Sequence, residues 1–323
     1  MNIDMIEAAA QRLRGHARLT PLLNSPFLDD IAGRRVLVKP ECLQHTGSFK
    51  FRGAWSALSA MEPAQRDRGV IAFSSGNHAQ GVAYAARLHG VSAVIVMPSD
   101  APVLKIDNTR AYGAEVVLYD RATEDRDAIG AALAAERGLT MIKPFDDPQV
   151  IAGQGTTGLE IATQAAEFGV TEAEVIVCCG GGGFTSGVAL ALEKYAPKMR
   201  VRPAEPVGFD DVRRSLESGR IERNPQMTGS ICDAIISPQP GELTFPIMHR
   251  LCGLGLVVSD DDCLRAMALA FQRLKVVAEP GGAAALAAAL FHGDTLQNDT
   301  VIVTISGGNV DTGMFQTALQ RFL

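Results

Sequence analysis

Residues Gly69–Met97 read GVIAFSSGNHAQGVAYAARLHGVSAVIVM. Gly69–Phe73 is a short apolar run, Asn77–His89 carries helical periodicity, and Val91–Met97 is a second apolar run. Strand, helix and strand in this order make a βαβ unit, whose strands run parallel because the helix carries the chain back across the sheet. The alternation continues with a helix over Val103–Tyr112, a strand over Ala114–Tyr119, a helix over Thr123–Arg137 and a strand over Leu139–Ile142. Gly90, Gly113 and Gly138 follow the three helices, where the chain end favours a left-handed residue. Such a series predicts an α/β fold with open, twisted, mostly parallel sheets flanked by helices.

Beyond Pro148 the pattern resumes. Helices are expected over Gln154–Phe168 and Gly187–Tyr195, and strands over Val175–Cys179, Arg200–Ala204, Leu256–Val258 and Val301–Ile305. A further helix runs from about Asp261 to Val277. The two blocks meet near Pro144–Val150, and residues 1–45 can join either. Glu205–Glu242, rich in Pro, Gly and Ser, reads as loops around a site.

The 323 residues are 47% hydrophobic and 20% charged, which excludes a disordered chain. A net charge of −6 gives no basic footprint for nucleic acid. The longest apolar stretch, near Ala283–Phe291, is too short to span a membrane, and the N-terminus reads as an amphipathic helix. Six cysteines without a C-x-x-C pair suggest reduced, mostly buried thiols and a cytoplasmic location. Aromatics are few at 6%, so the core is aliphatic, and the 32 glycines need a location.

Four segments carry chemistry, each at a strand end or turn, where open α/β sheets bind ligands. Gly180, Gly181, Gly182 and Gly183 lie in CGGGGFTSG between a strand and a helix and can bring backbone N–H groups against a phosphate. The run lacks both G-x-G-x-x-G and G-K-[ST], so dinucleotide and P-loop readings fall. In TGSFKFRG, Lys50 sits between Phe49 and Phe51, where an apolar setting favours a neutral, imine-forming amine. In SSGNHAQ, Ser74, Ser75 and Asn77 can cap a helix or bind a carboxylate. In SGGN, Ser306 follows the last strand and can meet a ring nitrogen. Singly, each has a plainer reading: a flexible turn, a surface lysine, a helix cap, a bare turn. Jointly they match one ligand, pyridoxal phosphate, with its phosphate, aldehyde and pyridine nitrogen, beside an amino acid's carboxylate.

SFKFRGA, SSGNHAQG, GGGG, AEP at Ala204–Pro206, EPGGAA at Glu279–Ala284 and SGGN occur in the order found in the serine/threonine dehydratase and serine racemase family, which this chain resembles from about Thr20 to Asp311. These are pyridoxal-phosphate enzymes of fold type II. The resemblance implies a large domain of residues 1–48 and 147–323 and a small domain of residues 49–146 carrying the SSGNH loop, with the active site in the cleft between. It implies that Lys50 bonds the cofactor's aldehyde carbon and later takes the Cα proton, with Phe49 against the ring. Asn77 would bond the ring hydroxyl, Gly180–Gly183 the phosphate, and Ser306 would face the pyridine nitrogen. Ser74, Ser75, Asn77 and His78 would hold the substrate carboxylate. Ser75 also matches the serine that racemases use on the face opposite the lysine.

The activity implied is an ammonia-lyase that converts a β-hydroxy amino acid such as L-threonine or L-serine to a 2-oxo acid and ammonia by α,β-elimination. A neutral serine at the ring nitrogen suits this, because it makes the ring a weaker electron sink than an aspartate partner would. The alternatives are a serine or aspartate racemase with side dehydratase activity, and a dehydratase of 3-hydroxyaspartate or of a hydroxyectoine breakdown product. Family members often hold Mg²⁺ or Ca²⁺, and here Glu205, Asp211 and the Phe209 carbonyl would ligate it. A homodimer or higher homo-oligomer is also implied. Asp233-Ala234-Ile235 replaces the more usual Asp-Gly-Val and is expected to border the substrate side chain. Arg110, Arg126 and His45 are candidates for a second substrate carboxylate, with surface roles as the plainer reading.

Overall fold

A computed structural model describes residues 1–323 apart from 75, 102 and 121, and only the backbone at position 104. Among the described residues there are ten strands: β1 (Leu23–Asn24), β2 (Arg35–Pro40), β3 (Val70–Phe73), β4 (Ala93–Pro98), β5 (Glu115–Tyr119), β6 (Thr140–Met141), β7 (Ala173–Cys178), β8 (Met199–Pro206), β9 (Leu256–Val258) and β10 (Thr300–Ile305). They form a six-stranded sheet in the order β1-β2-β10-β7-β8-β9 and a four-stranded sheet in the order β5-β4-β3-β6. Every pairing is parallel except β1 with β2. All residues of β4 and β7 are buried, as expected for strands covered on both faces. The expected α/β architecture of two mostly parallel, helix-flanked sheets is the one observed. No helix among the described residues is long and apolar enough to cross a membrane.

The apolar run around Ala283–Phe291 belongs to a helix, Pro280–Phe291, buried on every side from Pro280 to Leu290 against the large sheet. Its alanines allow close packing, and uniform burial erases the amphipathic signal. The helix expected from Gln154 starts earlier, at Pro148. Asp147 Oδ1 accepts from the Gln149 and Val150 amides at 2.8 and 3.0 Å, and Pro148 takes the first helical position. Glycines in this helix serve close approach rather than turning. A Cβ on Gly153 would lie 2.2 Å from the Arg52 carbonyl oxygen, and one on Gly187 would lie 2.6 Å from that of Ile151. Three helices, Lys50–Ser59, Pro148–Glu167 and Gly183–Tyr195, therefore cross nearly backbone to backbone. This is a use of the glycine excess that the sequence reading did not assign.

The helix expected from Asp261 to Val277 is α-helical only over Asp260–Leu269 and passes into a π-helical turn, Ala270–Leu274. Lys275 ends it at φ +62°, a left-handed residue without glycine's freedom. Its start follows expectation: Ser259 and Asp262 form a capping box. All six cysteines are free, five of them buried, and Cys232 and Cys263 lie with their sulfurs 3.6 Å apart.

Three charges, Lys39, Glu41 and Arg52, are taken out of water together and meet a fourth, the partly exposed Glu160. Arg52, 1% exposed, donates to both oxygens of Glu41 at 2.7 and 2.8 Å and to both oxygens of Glu160 at 2.6 and 2.9 Å. Lys39 bonds Glu160 Oε2 at 2.6 Å, with the Thr20 carbonyl and Gln164 completing its donors. Burial costs are offset because Arg52 meets two carboxylates in bidentate geometry and Lys39 adds a second cation on Glu160. Burial raises the Glu41 carboxyl, but Arg52 outweighs it and holds the group below its usual range. Removing one partner leaves an uncompensated buried charge. Glu41→Ala is therefore expected to cost about 3–5 kcal/mol in urea unfolding; a loss under about 1 kcal/mol, the size of a surface pair, would sink this account.

Candidate active site

A cavity of about 520 Å³ opens at the C-terminal ends of β3, β7 and β10. Phe49, Lys50, Ser74, Asn77, His78, Gly180–Gly183 and Ser306 all line it. These positions, singled out in the sequence, converge on one space from four segments far apart in the chain. Ser75 lies outside the described residues. Asp233–Pro238 forms another part of the wall, as expected of a segment bordering a ligand.

Lys50 opens the helix Lys50–Ser59. Its Nζ donates to the Pro144 carbonyl at 2.7 Å and lies 5.1 Å from the centre of the Phe49 ring. The side chain keeps some accessible surface because the cavity reaches it, but protein surrounds it. Burial pushes its pKa down to about 8. Phe49 stacks on Phe184 with ring centres 4.1 Å apart, giving a flat apolar wall beside the amine.

The glycine run reaches the N-terminus of the helix Gly183–Tyr195, whose first amides have no partner within the helix. Gly182 has φ +90°. A Cβ on Gly181 would fall 2.4 Å from the Phe145 ring, so only glycine fits beneath that ring. The buried Thr185 hydroxyl, in the same first turn, has no hydrogen-bond partner in the structure. Unpaired amides, an unpartnered hydroxyl and bare backbone fit an anionic group such as a phosphate.

Ser74 and Asn77 do not cap the following helix as the sequence suggested. The N-cap is Gly76, whose amide donates to Ser74 Oγ at 3.1 Å. Asn77 is instead drawn away by Glu279 and Asn309. His78 is buried, and its Nε2 lies 2.8 Å from the Ile142 carbonyl oxygen. Because a carbonyl only accepts, Nε2 carries the proton and Nδ1 is a bare, unpartnered acceptor. Burial, with Lys50 nearby, pushes the imidazole pKa down to about 3. Ser306 is buried, and its carbonyl accepts from the Phe49 amide at 3.2 Å.

Of the candidate partners for a second carboxylate, Arg126 lines the cavity. Arg110 is exposed beside Asp107, and His45 packs against Phe51 and Tyr84. Lys105, not singled out in the sequence, also lines the cavity and pairs with Asp233 at 3.1 Å from the opposite side. Phe145, Gln154, Thr185, Glu279 and Asn309 were missed as well. The last two lie in the EPGG and SGGN motifs, but the glycines that leave them space are elsewhere in the chain, Gly307 for Glu279 and Gly47 for Asn309.

Away from the cavity, Glu205 accepts from the Val212 and Arg213 amides, both at 2.8 Å. Asp211 Oδ1 accepts from Asn224 at 2.5 Å, while its buried Oδ2 has no partner. Burial pushes Asp211 up to about 7, and burial together with Asp211 raises Glu205 strongly. Among the described residues no cluster of three or more His, Cys, Asp or Glu suited to a metal occurs.

Lys50 beside a flat aromatic wall, in one cavity with Ser306 and a glycine run at a helix N-terminus, is a set of residues that fits pyridoxal phosphate in an α/β enzyme. The chain matches the pyridoxal-phosphate dependent enzyme family over residues 13–307 and belongs to it. It is 44% identical over 317 residues to an L-threo-3-hydroxyaspartate ammonia-lyase of a Pseudomonas species, covering 98% of each chain. It is 39% identical to a serine racemase of Schizosaccharomyces pombe, covering 95% of this chain and 94% of that one. Among solved structures, a threonine deaminase of T.th. superimposes with a TM-score of 0.91 at 46% identity, covering 96% of this chain and 99% of that one.

The lowered pKa makes a direct prediction. Capture of an aldehyde needs the neutral amine, whose fraction grows as pH rises through the pKa. Reductive trapping of an aldehyde on Lys50, quantified by mass spectrometry, is expected to reach half its maximal rate near pH 8. A midpoint near the roughly 10.4 of a free lysine would overturn the burial argument.

Proposed function

We propose that this chain is a pyridoxal-phosphate ammonia-lyase acting on β-hydroxy amino acids. The carrying observation is Lys50, an amine whose enclosure by protein pushes its pKa down to about 8, in one cavity with the Gly180–Gly183 run. When bound, the cofactor supplies an aldehyde reactive toward amines and a ring that accepts electrons. In this reading the Gly180–Gly183 amides and the Thr185 hydroxyl hold the phosphate, Phe49 supports the ring, and Ser306 faces the ring nitrogen. Asn77 bonds the ring hydroxyl. Lys50, whose pKa is pushed down to about 8, takes the proton from the substrate Cα in its deprotonated form. Ser74 and the first-turn amides at 77–79 receive the carboxylate. The bare Nδ1 of His78 is an acceptor, so that residue contributes its main-chain N–H rather than its ring. Loss of the Cα proton and the β-hydroxyl as water leaves an enamine, which a water molecule then hydrolyses to a 2-oxo acid and ammonia.

Two relatives named as L-threo-3-hydroxyaspartate ammonia-lyases, and the cations Lys105 and Arg126 on the cavity wall, support a substrate with a second carboxylate. Racemisation is the second reading, favoured by Ser75 and by relatives named serine racemase. We further propose residues 1–48 and 147–323 as a large domain and 49–146 as a small one. The division is supported by all four strands of the smaller sheet lying between Val70 and Met141. A homo-oligomer in the cytoplasm, with Mg²⁺ or Ca²⁺ at Glu205, Asp211 and the Phe209 carbonyl, completes the proposal. The unpartnered Asp211 Oδ2 beside a second buried carboxylate is the donor chemistry that supports a hard cation.

Serine, threonine and 3-hydroxyaspartate, in all stereoisomers, are the substrates to screen for 2-oxo acid release. Activity is expected to fall on the order of 10³-fold or more in Lys50→Ala; a parent protein inactive on the whole panel would overturn the lyase reading. Chirality of recovered substrate tests the racemase reading, which fails if no inversion is seen. Mg²⁺ or Ca²⁺ at a hundred times its Kd is expected to stabilise the protein by about 2.7 kcal/mol. Melting temperatures equally unmoved by both ions, in the parent and in Asp211→Asn, would dismiss the metal.

A further inference from the structure

We infer that Glu279 and Asn309 are positioning residues: together they orient the amide of Asn77 so that one of its N–H bonds is left for a ligand in the cavity. The inference rests on the cofactor reading above, which gives that N–H the ring hydroxyl as its acceptor.

The orientation can be read from one end. The Thr46 carbonyl oxygen can only accept, and Asn309 Nδ2 donates to it at 2.8 Å. The second N–H of the same nitrogen donates to Asn77 Oδ1 at 2.6 Å. The Asn77 oxygen therefore faces Asn309, and its nitrogen faces Glu279 Oε1 at 2.5 Å. An amide nitrogen carries two hydrogens, and Glu279 takes one. The other is fixed in the amide plane at a residue that lines the cavity. A carboxyl oxygen accepts whether or not its group is ionised, so the arrangement does not depend on one protonation state.

The surroundings are built to this chain of bonds. A Cβ on Gly307 would lie 2.0 Å from Glu279 Oε1 and 2.8 Å from Asn77 Nδ2. A Cβ on Gly47 would lie 2.7 Å from Asn309 Oδ1. No side chain fits at either position while the polar chain is in place. Backbone bonds hold the same segments, from the Glu279 amide to Gly307 at 3.1 Å and from the Gly308 amide to Gly47 at 2.9 Å. Glu279 itself is buried, with its pKa pushed up to about 7 by that burial; the Asn77 hydrogen bond and Lys105 oppose the rise, and Asp233 adds to it.

The test is a double-mutant cycle on cofactor affinity, measured by titrating the apoprotein with pyridoxal phosphate and following absorbance. Glu279→Ala and Asn309→Ala are each expected to weaken binding about tenfold and to move the pH midpoint of the bound cofactor's absorbance. Both effects are expected to vanish in an Asn77→Ala background, because both act through that amide. Glu279→Gln, which keeps an acceptor in the same place, is expected to restore binding to within about twofold of the parent. It also serves if Glu279→Ala does not fold. The inference fails if Glu279→Ala binds the cofactor as the parent does, or weakens it equally with and without Asn77. It also fails if Glu279→Gln is as damaged as Glu279→Ala. A parent protein that takes up no pyridoxal phosphate overturns the functional reading, and this inference with it.

Discussion

Buried Lys39, Glu41 and Arg52 must reach charge balance with the partly exposed Glu160, and this requirement draws separate segments to one point. Arg52 lies two residues beyond Lys50 on the same helix. The guanidinium is locked by two bidentate pairs, to Glu41 before the helix and to Glu160 on the long helix behind it. The first turn of the helix therefore has little freedom to slide or rotate. The amine proposed to do the chemistry is placed from behind by electrostatics, while the cavity in front of it stays open for a ligand. Buried ion pairs are often no better than apolar packing for stability. Here the network serves to fix a register.

Space is controlled as tightly as charge. At the helix crossing, glycines at 153 and 187 bring main chains together, while at the cavity Gly181 makes room for Phe145 and Gly307 for Glu279. In each case the missing Cβ is occupied by a neighbour that matters. Abundant glycine would ordinarily suggest flexibility, yet these positions are crowded ones.

The sheets were legible because parallel strands buried on both faces leave short apolar runs, and glycines marked the ends of the helices between them. Pro280–Phe291 escaped as a helix because burial on all sides removes periodicity. The helix Pro148–Glu167 starts before the expected Gln154, at the Asp147 cap and Pro148. Within the site, Lys50, Asn77, Gly180–Gly183 and Ser306 were legible from motifs. Phe145, Thr185, Glu279 and Asn309 were not, because each gains its meaning from a partner distant in sequence: a ring over a glycine, an unpaired hydroxyl beside a cradle, or an amide pinned by another amide. The expected caps Ser74 and Asn77 show the same limit, since local propensity cannot foresee a competing carboxylate 202 positions away.

The polar chain through Asn309, Asn77 and Glu279 begins at a main-chain atom, the Thr46 carbonyl oxygen, in a stretch where Thr46 and Gly47 both have left-handed backbone. A peptide carbonyl does not titrate, and it survives any side-chain replacement. The polarity of the pocket's wall is thus inherited from the course of the backbone. Sequence drift can reach this anchor only by altering the turn itself, although the side chains that relay it, Asn309, Asn77 and Glu279, remain open to replacement. Ala234 and Ile236, on another part of the wall, bring apolar side chains that take no part in this chain of bonds, so the shape of the pocket there is set independently of its polarity.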